Sequence, residues 1–200
     1  ALASITLDRV SHGRGTLGIG AGEAQNLKEF KIQWDKPVGR FEEQLQVIKL
    51  LFDSSPSHRV NFKGEFYQLE EACLQAKSVR KPAPPIYMAA GAPRTLALCG
   101  KYGDGWIPIG YTPELYAEHA KAIKASMKEN GRTDENFNYA VDIDVYFSED
   151  AETAWAKMKN AVKVSLFKPE VLKVHGIQDI AGFDFKKYFR PIDSRHLLLN

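Results

Sequence analysis

Apolar and polar residues along this chain switch repeatedly between a helical and a strand-like period, and the switches mark its elements. Residues 1–10 carry Leu2, Ile5, Thr6 and Val10 at helical spacing with no capping residue ahead of them, and Ser11, His12 and Gly13 end that helix. The apolar run at residues 16–20 reads as a short buried strand, and residues 40–52 as an amphipathic helix with Phe41, Leu45, Ile48 and Phe52 on one face. Residues 60–69 read as a hairpin, with VNF and EFYQL flanking the turn residues Lys63 and Gly64. Residues 86–90 form a second buried strand, followed by a helix over 93–102 with Pro93 at its first position. A third strand falls around Trp106 and Ile107. The next helix starts at Thr112 and Pro113, buries Tyr116, Ile123 and Met127, and stops at Asn130 and Gly131. Residues 141–147 alternate as a fourth strand, and residues 150–166 give a helix with Ala151, Trp155, Met158 and Val162 on one side.

Strand and helix alternate throughout, which predicts α/β architecture with parallel strands. With no low-complexity linker, residues 1–200 read as one domain, with an insertion at 54–85 that contains the hairpin and an irregular tail at 168–200. The tail's FDFKKYFRPID stretch is aromatic and basic, a composition that suits a packed surface segment.

The glycines change the picture more than the composition does. Gly18, Gly20 and Gly22 alternate at the end of the first strand and are followed at once by Glu23. Glycine there lets a ligand approach the backbone closely. A dinucleotide-binding fingerprint is excluded by spacing, because its third glycine would fall at Glu23 and the next clear helix begins only near Arg40.

Charge and cysteine usage remove other classes. A formal net charge of +2 lacks the concentrated basic face that nucleic acid or an acidic membrane surface requires, and Lys77, Arg80 and Lys81 read as a solvated loop. Cys73 and Cys99 have apolar neighbours and no C-x-x-C spacing, and the five histidines form no metal-binding pair, so no metal is expected. No apolar run is long enough to span a bilayer, and a cytoplasmic location is the expectation.

These units, in this order, resemble the luciferase-like superfamily of flavin and deazaflavin oxidoreductases, which are TIM barrels. TLDRVSHGR and GTLGIGAGEAQN are similar to the family's helix and fourth barrel strand, and WDKPVGRFEEQLQVIKLLF to its next helix. VNFKGEFYQL resembles its recurring insertion, PPIYMAAGAP its fifth strand and KYGDGWIPI its sixth. The resemblance implies a partial (β/α)8 barrel holding about strands 4 to 7, part of a longer protein whose remaining strands would remove the open edges. GAGEAQN and the W-D-K-P segment are more like the branch that uses coenzyme F420, to which methylenetetrahydromethanopterin reductase belongs, than the branch that uses FMN and oxygen.

The resemblance implies a hydride transfer between F420, with FMN as the alternative, and a small-molecule substrate, in a homodimer. Gly22, Glu23, Asn26, Gly91 and Ala92 would bind the coenzyme, with Glu23 also the catalytic proton relay or else a solvated or helix-capping carboxylate. Gly91 and Ala92 precede a helix whose first N–H groups lack intrahelical partners, so they offer an anion seat or simply a tight turn. Asn26 can donate to and accept from a ring carbonyl. Trp34 and Trp106 read as core or as stacking residues, Asp104 as a local backbone acceptor. After Trp106 the chain reads IPIGYT, where the family's sugar-phosphate enzymes carry a threonine and a lysine, which argues against a phosphorylated sugar as substrate. An FMN-dependent monooxygenase and a non-catalytic flavin-binding barrel are the other readings.

Overall fold

A computed structural model of the chain describes residues 1–166 apart from residues 25, 26, 28 and 29, with side chains described up to residue 159. The tail predicted at 168–200 lies outside the described residues. The elements are α1 (Leu2–Val10), β1 (Leu17–Gly20), α2 (Pro37–Asp53), β2 (Val60–Lys63), β3 (Gln68–Ala72), β4 (Ile86–Ala89), α3 (Pro93–Tyr102), β5 (Gly105–Trp106), α4 (Pro113–Glu129), β6 (Asn138–Tyr139) and α5 (Ala151–Leu166). Two compact units are present. One comprises Ala1–Pro108 and Ala117–Val141, the other Ile109–Tyr116 and Asp142–Asn200.

In the first unit β1, β4, β5 and β6 form a four-stranded parallel sheet in that order. Leu17 pairs with Ile86 and Gly20 with Ala89, so β1 and β4 run in register along their whole length. Side chains alternate across a sheet, and registered residues share a face. One face therefore carries Leu17, Ile19, Ile86, Met88, Trp106 and Tyr139, and the other Gly18, Gly20, Tyr87, Ala89, Gly105 and Asn138.

Helices cover the first face. Met88 and Trp106 are fully buried, a Cβ on Gly103 at the end of α3 would sit 3.2 Å from Met88 Sδ, and the Trp106 ring lies against His119 of α4. All four residues predicted for the buried stripe of α2 are in the core. Helices α3 and α4 approach so closely that a Cβ on Gly100 would lie 2.6 Å from the Ile123 carbonyl oxygen, and Ser126 Oγ donates to the Ala97 carbonyl at 2.7 Å across the same contact. Burial of the Cys99 thiol beside the sheet raises its pKa to about 12, so it is an inert core group.

Polar staples hold the connections. Asp8 is fully buried in α1, and its Oδ2 accepts from the Val79 and Arg80 amides at 2.8 and 2.9 Å. Asp104 exchanges hydrogen bonds with the Ile86 backbone, and Arg132 donates to the Gly100 and Gly103 carbonyls at the end of α3. Asp104 is thus the backbone acceptor expected from its turn. Lys77 is drawn inward to the Ser54 carbonyl, while Arg80 and Lys81 stay exposed as a solvated loop.

The insertion is the predicted antiparallel hairpin, β2 with β3, extended to Ala72 because Asn61 and Glu71 bond reciprocally across the strands. Its tip docks on α2 through Glu43. That carboxylate accepts from the Glu65, Phe66 and Tyr67 amides at 2.7, 2.9 and 3.1 Å.

Three expectations change. The buried side of α1 is Ser4, Ile5 and Asp8, whereas Leu2 and Val10 are exposed: Asp8 Oδ2 finds two backbone donors inside, while its Oδ1 is buried without a hydrogen-bond partner. In place of the strand predicted at 141–147 there is the two-residue β6 at Asn138–Tyr139 and a single bridge at Asp142; Pro108 has no N–H to extend the ladder from β5, and Val141, Ile143, Val145 and Phe147 are exposed. In the second unit, where Ile109 bridges Asp142, Asp150 caps α5 by accepting from the Thr153 amide at 2.8 Å. On that helix Trp155 is nevertheless 57 % exposed and Ala151 is exposed, whereas Met158 is half-buried.

Replacing Asp8 by Ala should destabilise the fold by about 1–3 kcal/mol, since two amides lose their charged acceptor, and denaturant unfolding measures it. Burial pushes the Glu43 carboxyl up, but the three amides and Arg40 outweigh burial and leave its pKa below the ordinary 4.5. A carboxylate held below its unfolded pKa stabilises fully above that value and loses the contribution as pH falls through the folded value. Amide exchange at the hairpin tip should therefore accelerate below about pH 4.5, and Glu43→Gln should remove that pH dependence.

Candidate functional site

The carboxyl ends of parallel strands are where α/β barrels collect their ligands, because the loops that follow converge there. In the first unit this end holds Ala21, Gly22 and Glu23 after β1, and Ala90, Gly91 and Ala92 after β4. The in-register pairing of Gly20 with Ala89 makes the two loops neighbours.

Gly22 has φ +80°, and a Cβ there would lie 3.3 Å from Leu27 Cδ1 and 3.6 Å from Trp34 Cζ3. Both conformation and space demand glycine. Glu23 follows as an exposed residue whose carbonyl accepts from the Leu27 amide, so it opens a helical turn as well as presenting its carboxylate. Asn26 lies outside the described residues.

Gly91 and Ala92 are exposed at the start of α3, where Ala92 is the N-cap and Pro93 the first helical residue. Their amides are engaged. Thr95 Oγ1 accepts from Gly91 N at 3.3 Å and Ala92 N at 3.1 Å, and donates back to the Ala92 carbonyl at 2.9 Å. The anion seat expected from unpaired N–H groups is therefore closed by a hydroxyl in this conformation, and Pro93 has no N–H to offer. A threonine three positions into a helix that lacks a polar N-cap is the signal that would have revealed it.

The sheet face away from the helices forms the floor between these loops. Nothing lies within 4 Å of a Cβ built on Gly18, and a Cβ on Gly20 would touch only Ala89, so the floor is flush backbone at β1. Tyr87 stands beside it, its ring filling the place of a side chain at Gly105. Such a floor, free of side chains in one strand and edged by an aromatic ring, accommodates a planar ring system.

Trp106 belongs to the core, with its Nε1 donating to the Ala90 carbonyl at 2.9 Å, and it steadies the loop that carries Gly91. Trp34 is half-buried against Gly22. It also lines a small cavity of about 50 Å³ with Ala21, Phe41 and Arg40. A larger, open hollow of about 430 Å³ lies on α2 beside β2, away from the strand ends, where burial lowers the Lys49 pKa. Among the described residues no group of three His, Cys, Asp or Glu could hold a metal, and no helix is long and apolar enough to cross a membrane.

A parallel α/β sheet with a glycine-floored face and a carboxylate at its strand ends is the arrangement on which α/β barrels build their ligand sites. The profile described as luciferase-like monooxygenase matches residues 1–191, and the chain belongs to that family. It is 30 % identical over 189 residues to the phthiodiolone/phenolphthiodiolone dimycocerosates ketoreductase of Mycobacterium tuberculosis, covering 92 % of this chain and 49 % of that protein. It is 28 % identical to the F420-dependent glucose-6-phosphate dehydrogenase of Microbacterium testaceum, over 85 % of this chain and 51 % of that one. The chain thus spans about half the length of the curated relatives it matches. The coenzyme F420 dependent tetrahydromethanopterin reductase of Methanopyrus kandleri superposes with a TM-score of 0.76 at 22 % identity, over 98 % of this chain and 62 % of that one. That likeness identifies the sheet as part of a luciferase-like TIM barrel.

Thr95→Val should free the Gly91 and Ala92 amides at a cost of about 1–2 kcal/mol in stability. Chemical shifts of those two amides are the direct check, and shifts unchanged from the parent protein would contradict the cap.

Proposed function

We propose that this protein is an oxidoreductase that moves a hydride between coenzyme F420 and a small organic substrate. The observation that supports it best is the position of Glu23 immediately beyond the left-handed Gly22, at the end of β1 and beside the loop that follows β4. The F420-dependent relative and the branch-like GAGEAQN segment favour F420 over FMN.

In this reading the backbone of Gly22, the surface of the Gly91–Ala92 turn, whose amides Thr95 holds, and the floor at Gly18 and Gly20 bind the coenzyme, with Asn26 as a further hydrogen-bonding group. F420, when bound, supplies a carbon that donates or accepts hydride without engaging oxygen. Glu23 holds or takes the proton at the substrate oxygen as that transfer proceeds, a role that requires only a carboxyl within hydrogen-bond reach. A carboxyl at the exposed end of a strand, carried by a loop, is open to proton exchange with water between turnovers. A homodimer and a cytoplasmic location belong to the same reading, both supported by the resemblance to the superfamily.

The test uses the full-length protein with F420 and a panel of secondary alcohols, aldehydes and ketones. Glu23→Gln should lower kcat by about 10²- to 10⁴-fold while F420 binding is retained. Turnover equal to the parent protein would remove Glu23 from the chemistry, and turnover with FMN and oxygen instead of F420 would favour the monooxygenase reading.

A further inference from the structure

The hairpin tip, the first turn of α2 and the Glu23 loop are joined through one side chain. Arg40 Nη2 donates to Asp35 Oδ1 at 2.9 Å, and the guanidinium carbon lies 4.3 Å from the centre of the Phe66 ring. Phe66 sits at the hairpin tip, whose amides Glu43 holds from the next turn of the same helix. Lys36, in the left-handed conformation that starts α2, adds an ion pair to Glu65 of the tip.

On its other side Arg40 reaches the strand end. It lines the cavity of about 50 Å³ together with Ala21, which follows β1, and with Trp34, whose ring rests against Gly22. Arg40 Nε is buried without a hydrogen-bond partner. A buried donor without a partner costs stability, so the stack on Phe66 and the bond to Asp35 must fix the side chain there in spite of it.

We propose that Arg40 is a positioning residue: it ties the hairpin tip to Asp35, the residue that follows Trp34, and thereby holds Ala21, Gly22 and Glu23 in the arrangement that receives the coenzyme. The inference rests on the F420 reading for its functional consequence, although the tie itself is independent of it. Arg suits the task because its planar guanidinium stacks on an aromatic ring and hydrogen-bonds a carboxylate in the same pose, which a lysine ammonium does not do. A coenzyme that binds only the ordered loop binds more weakly by the fraction of time the loop is disordered.

Amide exchange and F420 titration of the full-length protein test it, with Arg40→Ala, Arg40→Lys and Phe66→Leu. In Arg40→Ala, exchange at Ala21, Gly22 and Glu23 should rise roughly tenfold, with F420 affinity falling by a similar factor, while exchange in β4 and α3 stays at the parent rate. Arg40→Lys should recover part of both effects, and Phe66→Leu, which removes only the stack, should move them in the same direction by less. Unchanged exchange at the loop in Arg40→Ala, or recovery to the full parent values in Arg40→Lys, overturns the proposal. If Arg40→Ala does not fold, Phe66→Leu decides by the same criterion. If no variant and no parent protein binds F420, the functional reading has failed and the exchange data alone judge the tie.

Discussion

The in-register parallel pairing of β1 with β4 is the constraint on which the rest depends. It is only a four-residue ladder, from Leu17 opposite Ile86 to Gly20 opposite Ala89. It nevertheless sets which face each side chain occupies and which loops end side by side. A slip of one residue would turn Gly18 and Gly20 toward the helices and send Leu17 and Ile19 to the open face. The glycine floor and the Glu23 loop exist together only in the register observed.

The two ends of the sheet are built differently. At the amino ends of the strands, Asp104 and Arg132 tie β4, β5 and α3 into a dense set of backbone contacts, the kind of arrangement that serves stability. At the carboxyl ends the polar groups are lighter: a threonine hydroxyl over two amides, an indole N–H on the Ala90 carbonyl, and an arginine reaching back from α2. Local side chains hold those loops where tertiary burial does not, and such regions are drawn from the low-stability end of a fold. The hairpin insertion contributes here as a buttress. Its tip is fastened to α2 by Glu43, and α2 begins where the Glu23 loop ends.

Much of the architecture was legible because it is written in short-range pattern. The buried strands announced themselves as apolar runs, the face of α2 as Phe41, Leu45, Ile48 and Phe52, and the start of α4 as Thr112 before Pro113, whose hydroxyl accepts from the Leu115 amide. What escaped was non-local. Nothing around Asp8 says that it will meet amides at Val79 and Arg80, and nothing near Glu43 announces a hairpin tip more than a helix length away in sequence. The alternation at 141–147 has the pattern of a strand but only one bridge, at Asp142, since β5 ends at Trp106 and Pro108 follows it two residues on. Of the site, Gly22 and Glu23 could be read from spacing, and Thr95 left its signal at the third position of α3; Arg40 left none, because its role lies in what it touches.

The central claim is that these strand ends form a deazaflavin site on a luciferase-like barrel. The most direct measurement is the absorbance and mass spectrum of the small molecule released from natively purified full-length protein. The account predicts coenzyme F420 with its polyglutamyl tail. FMN as the bound chromophore would contradict it, and so would a folded protein that neither retains nor takes up F420.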